Sequence, residues 1–91
     1  MANPVITDVP AGVWTKVADN ILTGKIYYIN KDYAVHHTYR TAGGTAPTSP
    51  NEGIVMESTG LEISRTSGVD IYLYAYLGAT KVRVDVYTEP E

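Results

Sequence analysis

The feature that most constrains this chain is the pattern of its apolar residues, which follow a period of two in short runs. The segments 13–18, 33–41 and 69–77 all alternate in this way, with many β-branched and aromatic side chains. Successive side chains of a β-strand point to opposite faces of a sheet, whereas an amphipathic helix needs a period of 3.6 residues. No window of the sequence sustains that longer period. We therefore predict an all-β chain with almost no helix.

Turn-forming residues cut these runs at short intervals. Gly, Pro, Asn and Asp recur every 8 to 12 residues or so, which is typical of a sandwich or a barrel. Asp19-Asn20 and Ser67-Gly68 are read as two of the turns. The expected fold is a small antiparallel β-sandwich or β-barrel of about seven or eight short strands. The predicted strands are Val5–Val9, Val13–Ala18, Lys25–Asn30, Tyr33–Thr41, Ile54–Glu57, Leu61–Ser64, Val69–Leu77 and Lys81–Thr88.

The chain is expected to form one domain over residues 1–91, because no linker or internal repeat divides it. Residues 1–10 are predicted to form a short N-terminal arm that includes the first strand. Residues 42–53, with the sequence AGGTAPTSPNEG, are predicted to form a long loop of small and turn-forming residues. Long loops often carry binding contacts, so we expect this loop to be mobile and to meet a partner.

The two strongest predicted strands, 69–77 and 81–88, lie near the end of the chain, and we expect them to pair as a hairpin. A connecting loop with an even number of residues joins their aliphatic faces, whereas an odd number sets valines against tyrosines. The even loop is favoured because it segregates the apolar side chains. The core face then carries Ile71, Leu73, Ala75, Val82, Val84 and Val86, and the opposite face carries Tyr72, Tyr74, Tyr76, Arg83 and Asp85.

The tyrosine face allows three interpretations. The tyrosines either flank a solvated sheet face, or meet another protein chain, or form a platform that binds sugars. Tyrosine is enriched at protein interfaces because its ring is apolar and its hydroxyl can form hydrogen bonds. The single tryptophan, Trp14, is either packed in the core or at a sheet edge, or is an interface anchor. The candidate interface residues are therefore Tyr72, Tyr74, Tyr76, Arg83 and Trp14.

Catalytic and metal-binding motifs are missing from the sequence. The chain has no cysteine, which excludes disulfides, thiolate catalysis and cysteine metal ligands. His36 and His37 are adjacent on a predicted strand, so they point to opposite faces and cannot chelate one metal together. There is no Gly-x-Ser-x-Gly elbow, and Gly43-Gly44 lacks the Lys-Ser/Thr of a phosphate loop. We therefore expect a protein that is not an enzyme, with no catalytic residues, no cofactor and no metal.

Charge and hydropathy limit the possible partners. The net charge of −3 argues against nucleic acid and anionic membranes, which attract basic patches. The longest apolar run, Ile71–Leu77, is far shorter than the roughly 18 residues of a spanning helix. A small domain without disulfides often gains stability from association. We therefore expect self-association and protein partners, and no contact with nucleic acid or membrane.

Two stretches of the chain resemble small structural proteins of tailed-phage virions. They are VITDVPAGVWTKVADNILTGKIYYIN, and GGTAPTSPNEG followed by a short strand pair and GVDIYLYAYLGATKVRVDVY. The resemblance implies a head-decoration (cement) protein or another accessory head or tail protein. It also implies many copies in the virion, assembly in the host cytoplasm and contact with the major capsid protein or another virion protein. The alternative is a carbohydrate-binding or adhesin-like module that uses Tyr72, Tyr74 and Tyr76.

Overall fold

The computed structural model describes residues 5–30, 35–49, 51, 53–55, 60–76 and 78–90, which form six β-strands and no α-helix. The strands make one antiparallel sheet in the order β1-β6-β2-β5-β3-β4. The all-β prediction is confirmed. The strands are β1 (Val5–Val9), β2 (Trp14–Asn30), β3 (Val35–Thr41), β4 (Ile54–Val55), β5 (Gly60–Ala75) and β6 (Thr80–Thr88).

Two strands are much longer than the sequence predicts. β2 has 17 residues and β5 has 16, and each joins two of the predicted strands into one. At Asp19-Asn20 the chain does not turn: Asn20 adopts a positive φ of 52°, and the β2–β5 register shifts between Lys16 and Thr23. An irregularity of this kind bends a strand without ending it, and asparagine tolerates the left-handed conformation. The described residues therefore form six strands where the sequence predicts about seven or eight, because a bulge and a turn use the same residue types.

The expected C-terminal hairpin is also wrong. Among the described residues, β6 pairs with β1 and β2, whereas β5 pairs with β2 and β3. The long β2 explains this, because its first half lies beside one part of β5 and its second half lies between β5 and β6. Gly24 marks the close approach of β2 to β6, since a Cβ atom there would lie 2.5 Å from the Asp85 carbonyl oxygen.

The sheet encloses one hydrophobic core. The predicted aliphatic face is confirmed, with Val86 partly buried at its margin. The core draws side chains from both halves of β2 and of β5, so the sheet curves around a single apolar centre. A backbone bond from Gly12 N–H to the Ala75 carbonyl, 2.9 Å long, ties the segment after β1 to the end of β5. The buried core residues are Val9, Val17, Ala18, Ile21, Ile26, Val35, Ile63, Ile71, Leu73, Ala75, Val82 and Val84.

The N-terminal segment belongs to the sheet. The predicted strand Val5–Val9 is confirmed, and its pairing with β6 makes it part of the domain rather than a separate arm. Residues 1–4 lie outside the described residues, as do the predicted strand positions 33–34, 56–57 and 77.

Candidate functional site

Aromatic side chains form a row across β2, β5 and β3. Trp14 and His36 are the cross-strand partners of Tyr74, one on each side of it. The neighbouring position Leu73 lies in the core, and strand side chains alternate between faces, so this row faces away from the core. The Trp14 and Tyr74 ring centroids are 5.3 Å apart, within the range of favourable aromatic pairs.

Tyr76 extends this row just beyond the end of β5. Its ring centroid lies 5.9 Å from that of Tyr74 and 5.3 Å from that of His36. Trp14, His36 and Tyr74 are half-buried, whereas Tyr76 is 50% exposed. We call these four side chains the aromatic surface. Their rings lie together on one side of the sheet, outside the apolar core.

The long loop packs against one end of the aromatic surface. The indole Nε1–H of Trp14 donates a 2.9 Å hydrogen bond to the Ser49 carbonyl, and Pro47 is buried. A Cβ atom on Gly53 would lie 2.5 Å from Cη2 of Trp14, so only glycine fits there without a shift. The described part of the loop therefore holds Trp14 in place and is not free of the sheet.

In the next row along the same face, the tyrosine ring is buried rather than open. Tyr72 is only 5% exposed and pairs with Lys16 on β2 and Thr38 on β3. The Lys16 ammonium lies 5.8 Å from the centre of the Tyr72 ring, a cation–π contact. Arg40 Nη1 donates a 3.0 Å hydrogen bond to Thr38 Oγ1. Tyr72 therefore packs within the domain beneath the neighbouring side chains. The sequence predicts it as an interface residue, but its ring is not accessible to a partner in this structure.

A fully buried carboxylate, Asp70, fixes the base of the long loop. Its Oδ1 accepts a 2.9 Å hydrogen bond from the backbone N–H of Asn20, and its Oδ2 accepts one of 3.1 Å from the backbone N–H of Gly43. The Lys16 ammonium lies 3.4 Å from Oδ2. Burial alone would raise the pKa of Asp70, but the two backbone amide donors, the Asp19 side chain and the Lys16 ammonium lower it below the ordinary aspartate value. Asp70 therefore joins the irregular part of β2 to the start of the loop.

The lowered pKa of Asp70 predicts how stability changes with acid. A carboxyl group whose pKa is lower in the folded state stabilises the fold fully above its unfolded pKa, about 3.9. That contribution is lost as the pH falls through the folded pKa. We expect the difference in unfolding free energy between the native chain and Asp70→Asn to be constant near neutral pH and to shrink below about pH 4. Urea titrations at a series of pH values measure it, and a difference that grows in acid contradicts the assignment.

Arg83 lies elsewhere on the sheet, which corrects its predicted place beside the tyrosines of β5. It belongs to β6 and pairs with Tyr27 of β2, with its guanidinium carbon 5.7 Å from the Tyr27 ring centre. Its Nε–H also donates a 2.9 Å hydrogen bond to Asp85 Oδ1. The predicted neighbourhood failed because it depended on the hairpin that the structure does not contain.

The remaining chemistry of the described residues is sparse. His36 lies beside Tyr76 on the aromatic surface, whereas the ring of His37 is 5.8 Å from that of Tyr39, which packs against the core. Within the described ranges, no three His, Asp or Glu side chains are grouped as metal ligands would be. A shallow cleft of about 290 Å³ lies where β1 ends and β6 begins. Within the part of the chain that the structure describes, no helix could span a membrane.

The structure thus brings together Trp14, Tyr74 and Tyr76 from the predicted set, buries Tyr72 and separates Arg83. It adds His36, which the sequence could not assign to this surface, because only the β3–β5 pairing places it beside Tyr74. Comparison with protein-family models, with curated proteins and with solved structures found no match.

Proposed function

We propose that this chain is a non-enzymatic structural protein of a tailed-phage virion. It acts as a decoration (cement) protein or another accessory head or tail protein, through contact with the major capsid protein or another virion protein. The resemblance of residues 5–30 and 43–87 to such proteins supports the class. The aromatic surface is the observation that carries the mode of action.

The aromatic surface suits contact with a protein. Its rings lie outside the apolar core, so their exposed area is left over for contact with another molecule. Tryptophan and tyrosine contribute strongly to protein interfaces, because each offers a large, rigid contact area at low entropic cost. Tyr76, at the end of the row, offers the most exposed ring of the four. A partner that covers Tyr76 and the half-buried rings beside it removes a continuous apolar area from water.

The ring geometry favours a protein partner over a sugar. The successive ring planes are inclined by 54°, 66° and 39°, so they do not form one flat platform. Trp14 uses its indole N–H within the domain, and Tyr72 is buried. A sugar platform built on Tyr72, Tyr74 and Tyr76 therefore lacks one of its three rings. Glycan binding by the purified protein would support the adhesin-like alternative and contradict the proposal.

The class of the protein is tested on particles. The proposal requires the chain to be present in purified virions of the phage that encodes it, in many copies per particle. Quantitative mass spectrometry of density-gradient fractions measures this directly. We expect the chain to sediment with the capsid protein at a fixed ratio. Intact particles that lack the chain would contradict the proposal.

The contact surface is tested with Tyr76→Ala. We expect this change to weaken binding to particles stripped of the protein by about 30-fold, or about 2 kcal/mol, as the loss of an interface anchor does. The fold should be little affected, because Tyr76 lies outside the strands and is 50% exposed. Tyr87→Ala is the matched control, since Tyr87 is 45% exposed and lies on β6. Equal binding by both variants in a sedimentation assay would mean that the aromatic surface is only solvated.

A further inference from the structure

The outer edge of β1 is an apolar strand edge. β1 stands at one end of the strand order, and β4, at the other end, has two residues in the part of the chain that the structure describes. Val5 and Ile6 are 54% and 55% exposed. Because they are adjacent in a strand, they point to opposite faces, so both faces are apolar at this end of β1. Edge strands of this kind, with no proline within them, readily pair with another strand.

We propose that β1 pairs with β1 of a second copy of the chain, antiparallel and around a two-fold axis at Thr7. A two-fold contact uses the same patch on both copies, so one exposed edge is enough to build it. The result is a continuous sheet that runs through both domains. This inference does not depend on the proposed function, because the aromatic surface lies on β2, β5 and β3.

The sequence of β1 selects this register. With the axis at Thr7, all five strand residues are paired, Val5 with the partner copy's Val9 and Ile6 with its Asp8. An axis at Asp8 would set two carboxylates directly opposite each other, which destabilises a strand pair. An axis at Ile6 would pair only three of the five residues of β1. The Thr7 register is therefore the one that uses the whole strand without like-charge contact.

Two charged residues of β6 lie beside the proposed contact. In the monomer Arg83 is the neighbour of Ile6, and Lys81 is the neighbour of Asp8, with Lys81 Nζ 3.7 Å from Asp8 Oδ1. In the proposed dimer, Asp8 of the second copy lies directly across Ile6 from Arg83. The Arg83 guanidinium itself points toward β2, over the Tyr27 ring and beside Asp85, so it does not pair with that carboxylate. What the second copy contributes here is apolar contact, because it covers the exposed side chain of Ile6.

A single cysteine tests both the dimer and its register. The chain contains no cysteine, so Thr7→Cys introduces the only thiol. Residues directly opposite in an antiparallel pair have Cα atoms about 4.5–5.5 Å apart, which suits a disulfide. We expect Thr7→Cys to form a covalent dimer rapidly on mild oxidation. Ile29→Cys, at a position that is 51% exposed on β2, should do so at least tenfold more slowly.

Light scattering after size-exclusion chromatography completes the test. The native chain should elute with twice the monomer mass of 9.9 kDa. Ile6→Lys should elute as a monomer with an unchanged circular dichroism spectrum, because a lysine on an edge strand blocks pairing. Ile29→Lys should remain dimeric. A native chain that stays monomeric, or a dimer in which Thr7→Cys and Ile29→Cys cross-link equally slowly, would overturn the proposal.

Discussion

Replacing Asp70 with alanine is expected to destabilise the fold by about 3 kcal/mol. The change removes the acceptor for the Asn20 and Gly43 amides, and a donor left without a partner in the interior costs about 1–3 kcal/mol. It also leaves a small cavity at a position that is fully buried. Denaturant unfolding followed by tryptophan fluorescence measures the loss, because Trp14 lies on the same sheet face that the loop covers.

Asp19→Ala is the control for Asp70, because it removes the exposed carboxyl group of the same cluster and leaves Asp70 and its two backbone donors in place. Asp19 also contacts the Lys16 ammonium, at 3.3 Å, but its side chain is 74% exposed. Exposed ion pairs contribute about 0–1 kcal/mol, so this variant should unfold close to the native chain. Asp70→Asn should fall between the two, since it keeps the shape and one acceptor but not the charge. If Asp70→Ala and Asp19→Ala were equally stable, the buried hydrogen bonds would not hold the loop base.

Asp70 also shows where sequence reasoning reached its limit. The period of two places it correctly on the face opposite Ile71 and Leu73, but that face was expected to be a contact or solvent surface. The carboxylate is buried because Lys16, Asn20 and Gly43 close over it from β2 and from the loop. These groups are far from Asp70 in sequence. Nothing in the local pattern indicates that they meet.

The faces of single strands could be predicted, and the partners of those strands could not. Ile71, Leu73 and Ala75 were placed in the core from alternation alone, which is a local property. Pairing depends on the whole sheet, and the bend of β2 near Asn20 gives β6 a partner other than β5. A bulge and a turn use the same residue types, so the signal at Asp19-Asn20 could not distinguish them.

The same reasoning explains the mixed outcome for the candidate interface. Tyr74 and Tyr76 share a face by alternation, and the structure places their rings 5.9 Å apart. Trp14 joined them through cross-strand pairing, which the sequence did not predict. The sequence predicts Arg83 beside the tyrosines only through the expected hairpin. In the structure β6 pairs with β2 instead, so Arg83 lies beside Tyr27. Residue type identified candidates, whereas strand order decided which of them meet.

Leu73→Ala is expected to cost the fold about 2–5 kcal/mol, as the removal of a buried leucine side chain does. Leu73 is fully buried, in the part of β5 between β2 and β3, so neighbouring backbone can collapse little into the cavity. Tyr74→Ala, one residue along, should cost the fold less, because its ring is half-buried and packs on Trp14 outside the core. Particle binding should show the reverse order, with Tyr74→Ala impaired and Leu73→Ala close to native wherever it remains folded. Equal unfolding midpoints for the two variants in urea would contradict the division of β5 into a core face and a contact face.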